Sequence, residues 1–203
     1  MTVSGAPDLV SRVVRRMYHR KLVGFAGSFN RPSRSRALVE TVAGLAAERY
    51  GLATDIYDIA EFGSSLGQAR RQNDLDATAR RLLDEISTAD VLVVGTPTYK
   101  GSYTGLFKHA IDLLDPAALQ GTPVILTATG GGDRHALVVE HQLRPLFGFF
   151  QAHTLPSAVY ASDRDFVDYR LVAEPIRQRV EQAVGELAPF VRQPAIQHHL
   201  AAE

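Results

Sequence analysis

The chain of 203 residues contains no cysteine, which excludes disulfides, thiolate metal sites, a catalytic thiol and iron–sulfur clusters. Any redox chemistry must then come from a bound organic cofactor. Tryptophan is absent, and the two methionines are Met1 and Met17. No apolar run reaches the roughly 18 to 20 residues of a membrane span, and the first residues lack the hydrophobic stretch of a secretory signal. A cytoplasmic location is the expectation. Lys plus Arg number 22 and Asp plus Glu 22, so nothing in the balance predicts attraction to nucleic acid or to an anionic membrane. The 7 histidines are scattered, and no metal site is expected.

What is present is 45% hydrophobic and 22% charged residues, the composition of one globular domain long enough for a three-layer core. The opening stretch stands apart, because Arg12, Arg15, Arg16, Arg20 and Lys21 surround few apolar residues. It reads as an extension over 1–20, with Met17 a plausible true start. The domain is placed at 21–192, and a frayed tail follows at 193–203.

From Lys21 onward short buried apolar runs alternate with longer stretches of helical period. Strands are predicted at 22–26, 53–57, 91–96, 123–128 and 154–160, with Pro156 hinting at an edge position or bulge in the last. Helices are predicted at 35–50, 74–87, 103–114, 135–150 and 174–191. Right-handed crossovers then give an α/β fold. It is a doubly wound five-stranded parallel sheet, for which the flavodoxin-like order 2-1-3-4-5 is the simplest solution. Ligands of such sheets sit at the carboxyl ends of strands one, three and four.

The loops at those three ends carry unusual residues. After strand one comes Gly27-Ser28-Phe29-Asn30-Arg31-Pro32-Ser33-Arg34-Ser35, where Gly27 lets the chain turn and three hydroxyls precede a helix. Helix N-termini bind anions through free N–H groups, and Arg34 or Arg31 can add a full charge for a phosphate. An ordinary N-cap with solvated arginines is the other reading. Neither G-x-G-x-x-G nor G-x-x-x-x-G-K-[ST] occurs, which favours a monophosphate over a pyrophosphate or triphosphate. After strand three, Pro97, Thr98, Tyr99 and Lys100 lead to Tyr103. Such a loop either stacks a planar redox ring or packs its tyrosines on the domain. Ser102 reads as the next N-cap, Gly105 as a point of close helix approach, and Lys108 with Asp112 as an i,i+4 ion pair. After strand four, Thr129-Gly130-Gly131-Gly132 offers bare amides suited to the edge of a heterocycle, or forms a plain turn.

The run P-x-Y-x-x-S-x-x-G-x-x-K-x-x-x-D, here Pro97 to Asp112, resembles the signature of NAD(P)H-dependent FMN reductases of the flavodoxin-like superfamily. With the Gly27-Ser28, Pro32-Ser33-Arg34-Ser35 and Thr129-Gly130-Gly131 segments, and 134–137 leading into 141–147, the chain is similar to the sulfonate-utilisation branch, in particular the methanesulfonate type. That resemblance implies NAD(P)H and FMN as ligands, and a flavin-dependent sulfonate monooxygenase that receives free reduced FMN. It implies that Ser28, Ser33, Arg34 and Ser35 hold the FMN phosphate, that Pro97, Thr98, Tyr99 and Lys100 line the ring, and that Thr129, Gly130 and Gly131 meet its pyrimidine edge. It also implies a homo-oligomer, dimer or tetramer. In alkanesulfonate relatives the fourth helix carries an inserted Tyr in a π-bulge. His141 occupies that place here, as it does in the methanesulfonate type, although helical period alone makes it a capped or interface histidine.

Hydride transfer between nicotinamide and flavin needs no side-chain acid or nucleophile, and no catalytic triad is legible. Tyr99, Lys100 and His141 are the candidates for influencing the step. Competing readings are a prosthetic-FMN reductase of quinones, azo dyes or metal oxyanions, a flavodoxin-type electron carrier, and a flavin-free α/β module. The neutral charge disfavours the carrier.

Overall fold

The computed structural model describes residues 20–191. The proposed start at Met17 and the tail at 193–203 lie outside the described residues. Strand β1 (Lys21–Ala26) pairs in parallel with β2 (Ala53–Asp58) on one side and β3 (Val91–Pro97) on the other. Strand β4 (Pro123–Gly130) follows β3, and both β5 (His153–Thr154) and β6 (Val159–Ser162) pair with β4. The order is therefore β2-β1-β3-β4 followed by the split fifth position.

Central strands covered on both faces must be apolar throughout, and β3 and β4 are buried almost end to end. Alternation sends Val23 and Phe25 to one face and Leu22 and Ala26 to the other, and each face has its own core. On the first, Phe25 stacks on Phe107 with ring centroids 5.3 Å apart. On the second, Leu38, Val39 and Val42 of helix α1 (Arg34–Tyr50) meet Val180 and Val184 of helix α5 (Glu174–Gly185). The core contains no sulfur atom, since both methionines precede residue 20.

Capping chemistry sets the helix limits. The Ser33 hydroxyl accepts from the Arg36 N–H to start α1, and Gly51 at φ 65° ends it. Helix α2 (Ala77–Ser87) begins later than its periodicity predicts because Asp76 caps it, while Gln72–Asp74 forms a separate 3₁₀ turn. The expected Ser102 cap is replaced by Thr104, whose hydroxyl accepts from Phe107 N–H, so helix α3 runs Gly105–Asp112. A Cβ at Gly105 would meet nothing within 4 Å, so that glycine is not a point of close approach. Lys108 and Asp112 do form the ion pair that their spacing predicts.

The segment expected as one helix over 135–150 is three pieces. A 3₁₀ turn (Asp133–His135) leads to a π-helical turn (Val139–Leu143), and then to the short helix α4 (Arg144–Phe149). The expected last helix likewise divides into α5 and a final turn α6 (Ala188–Val191). The predicted fifth strand breaks around Pro156, which cannot donate to a ladder. Carbonyls freed by the break are satisfied by arginines: Arg144 donates to Leu155 O at 2.9 Å and Arg179 to Ala158 O at 3.0 Å. Unforeseen is an antiparallel hairpin, β7 (Phe166–Val167) and β8 (Arg170–Leu171), joined by Asp168 and Tyr169.

Candidate functional site

The carboxyl ends of β1, β3 and β4 open onto a cleft of about 340 Å³. It is lined by Ser28, Asn30, Pro32, Ser33, Arg34, Ser35, Pro97, Thr98, Tyr99, Thr129, Gly130, Gly131, Asp163 and Tyr169. Of the residues expected to bind the cofactor, all but Lys100 are brought together there.

Short polar links join the three loops beneath the cleft. Gly27 N–H donates to Gly95 O at 2.6 Å, and the Thr104 hydroxyl donates to Gly27 O at 2.7 Å. Thr98 N–H donates to Thr129 O at 2.7 Å, and the Ser35 and Thr129 hydroxyls share a buried hydrogen bond of 2.6 Å. Buried polar groups that are fully paired hold one geometry, so these links fix the loops relative to one another. Gly27 serves this arrangement by its lack of a side chain, because a Cβ there would lie 2.8 Å from the Phe107 ring. Its φ is not positive, so close approach, not a left-handed turn, is what requires glycine.

The arginines of the first loop divide into two roles. Arg31 donates twice to Asp58, at 2.8 Å each, and to Glu61 at 2.6 Å. Arg36 reaches the same Asp58 at 2.7 Å, Glu61 at 2.7 Å and Glu40 at 2.8 Å. Arg31 is thereby committed to the carboxylate cluster and does not line the cleft. Burial of the Asp58 carboxyl pushes its pKa up, but the two guanidiniums outweigh burial and hold it below the ordinary carboxylate value. Arg34 alone of the three faces the cleft. It lies 5.4 Å from the centroid of the Tyr169 ring and 3.3 Å from an Asp163 carboxylate oxygen. Two buried atoms in this cleft, Arg34 Nε and Thr98 Oγ1, have no hydrogen-bond partner among the described residues.

Tyr99 stands at the cleft edge, 46% exposed. It starts a tight turn in which Tyr99 and Ser102 exchange backbone hydrogen bonds, with Lys100 at φ 54° and Gly101 at φ 85°. Positive φ at both central residues is the type I′ geometry. Lys100 at its tip is exposed and does not line the cleft. His141 does lie in a π-helical turn, as the resemblance implies, but its side chain is exposed and outside the cleft lining. Its neighbour Gln142 makes the link instead, accepting from the Ser102 hydroxyl at 3.0 Å.

Sequence reasoning missed Asn30, Pro32, Asp163 and Tyr169 in the lining, and Tyr160 behind it. The Tyr160 hydroxyl donates to Gly132 O at 2.6 Å, and a Cβ at Gly130 would collide with it. Burial raises the pKa of that hydroxyl, and the charges of Asp133, Asp163 and Asp165 raise it further. The alternation Phe-Val-Asp-Tyr-Arg-Leu over 166–171 was the one available signal for the hairpin that carries Tyr169.

A parallel sheet in this order, with a cleft at its topological switch point, defines a protein of the flavodoxin-like fold class. The family model described as NADPH-dependent FMN reductase matches residues 20–166. The chain belongs to that family and is an NAD(P)H-dependent FMN reductase. It is 45% identical over 170 residues to an FMN reductase (NADPH) of Pseudomonas aeruginosa, covering 84% of this chain and 91% of that one. It is 43% identical to the NADH-dependent FMN reductase SfnF of Pseudomonas fluorescens, with the same coverages of 84% and 91%. Among solved structures, an oxidoreductase from Corynebacterium diphtheriae superposes with a TM-score of 0.72 at 34% identity, covering 86% of this chain and 97% of its own.

Proposed function

We propose that the protein uses FMN as an exchangeable substrate and passes free reduced FMN to a separate flavin-dependent monooxygenase of sulfonate metabolism. The observation that carries the site assignment is the buried, unpartnered pair Arg34 Nε and Thr98 Oγ1 in one cleft. Buried polar atoms are ordinarily paired, so these two fit a ligand that brings its own acceptors. The donor set suits FMN: hydroxyls, a guanidinium and the N-terminus of α1 at one end, an aromatic edge in the middle, and bare amides beyond.

Ser28, Ser33, Arg34 and Ser35 would hold the phosphate. Pro97, Thr98 and Tyr99 would line the ring, and Thr129, Gly130 and Gly131 would meet its pyrimidine edge. FMN, when bound, supplies the ring that accepts hydride from the nicotinamide. The chain's part is positioning. Orienting two reactants in contact contributes on the order of 7 to 11 kcal/mol at its upper limit, and the hydrogen-bonded loops provide a floor that need not reorganise. Tyr99 projects far enough to offer its face to a second planar group. Lys100, at the exposed tip of the same turn, would act only through its charge.

A cytoplasmic location agrees with the finding that, among the described residues, no helix is long and apolar enough to cross a membrane. Exposed Leu137 and Phe149 support a homo-oligomer, for which sedimentation is the check.

The deciding experiment is NAD(P)H oxidation with and without added FMN, using dialysed protein. Turnover that requires added FMN and saturates with it is the expected result. Stoichiometric flavin retained through dialysis, with turnover independent of added FMN, would overturn the exchangeable-substrate reading in favour of a prosthetic-flavin reductase.

A further inference from the structure

The cleft contains a carboxylate where an anion site would not be expected to have one. Asp163 lines the same space as Ser33 and Arg34, and its oxygen stands 3.3 Å from Arg34 Nη1. Its acidic neighbours are occupied elsewhere. Asp165 accepts from the Ser162 N–H at 2.7 Å and from its hydroxyl at 2.8 Å, closing the local turn. Asp133 is paired with Arg164. The one ion pair of Asp163 among the described residues is with Arg34, and it caps no helix.

A second observation falls at the same place. Asp168 and Tyr169 turn the β7–β8 hairpin with φ of 47° and 61°, both positive and neither glycine. Aspartate tolerates this conformation, whereas tyrosine adopts it only at a cost. Backbone strain of this kind collects at ligand sites. Here it sets the Tyr169 ring against the Arg34 guanidinium. Arg34 is thus stacked on an aromatic face and drawn toward Asp163 at once, while its Nε remains unpartnered.

We propose that Asp163 is a positioning residue that competes with the FMN phosphate for Arg34 and so limits how tightly the flavin is held. This rests on the assignment of Arg34 to the phosphate. A phosphate that engages the guanidinium must displace the carboxylate or lie beside it, and either loses free energy that an uncontested arginine would deliver. Tyr169 keeps the guanidinium in place through the exchange. A reductase whose product must leave gains from such an opponent, because weaker binding appears mainly as faster dissociation.

The test compares FMN with riboflavin, which lacks the phosphate, on the dialysed protein and its variants. Asp163→Asn should bind FMN about three- to tenfold more tightly, the size expected for a partly exposed ion pair plus like-charge repulsion. FMN release, followed by fluorescence after dilution, should slow by a similar factor. Riboflavin affinity should not change, and Asp163→Glu should keep the weak FMN binding of the parent. Equal tightening of riboflavin would overturn the proposal, because the effect would then not pass through the phosphate. Unchanged or weaker FMN binding in Asp163→Asn, with Arg34→Ala still weakening FMN, would also overturn it while leaving the phosphate site standing. If Arg34→Ala leaves FMN affinity intact, the phosphate assignment falls and the role of Asp163 falls with it.

Discussion

Three arginines within six residues of one another meet two different fates. Arg31 and Arg36 are bound into the Asp58–Glu61 cluster, and Arg34 is left to the cleft. Composition could not separate them, because the separation depends on a carboxylate at the end of β2, distant in sequence. Replacing Arg34 by alanine should weaken FMN binding about 10- to 100-fold, the worth of a hydrogen bond to a charged group. Riboflavin affinity in the same fluorescence titration should be unchanged. Tyr99→Ala should lower kcat/KM about tenfold or more with little change in Tm, since a half-exposed side chain contributes little to the core. A fall in Tm matching the loss of turnover would return Tyr99 to a packing role. His141 shows the limit of motif transfer: its place in the π-turn was foreseen, yet Gln142 touches the Tyr99 turn through Ser102.

At the scale of elements, strands β1 to β4 were legible, while the fifth strand and several helix limits were not. Continuous apolar runs such as 91–94 have one stable home, a strand covered on both faces. The fifth strand and the fourth helix were harder, because Pro156 and the π-turn each alter the local hydrogen-bond count without disturbing the apolar pattern. The start of α3 was misplaced for a related reason. Ser102 and Thr104 are both good caps, and what decides between them is the Gly27 carbonyl, brought near by the fold. The Asp58 cluster is the main brace of the first loop. Asp58→Ala should destabilise the protein by roughly 2 to 3 kcal/mol, less than a fully enclosed pair because Arg31 is half exposed. Chemical denaturation measures that loss, and a raised KM for FMN should accompany it as the 28–33 loop loses its anchor.

For the whole molecule, the same carboxylate sets the response to acid. The folded pKa of Asp58 is depressed, so its stabilisation is fully present above its unfolded value near 4. It is lost as pH falls through the lower folded value. Melting temperature should therefore decline through that acidic range in the parent and decline less steeply in Asp58→Asn. The global architecture was the most legible level of all, since alternating elements and right-handed crossovers leave few arrangements. The cleft followed from it, because three unusual loops had to meet at the switch point. Its rim did not, because Asp163 and Tyr169 come from the segment after the fifth strand, where no long-range pattern points back to α1.

The sulfur-free core has a bearing on durability. Reduced flavin released into air reacts with dioxygen and yields peroxide, so such a catalyst makes an oxidant in its own surroundings. Cysteine and methionine are the side chains peroxide attacks most readily, and residues 20–191 contain neither. Incubation with millimolar peroxide should leave both turnover and the melting curve of this domain unaltered. A methionine placed at the exposed Leu137 would supply the sensitive counterpart.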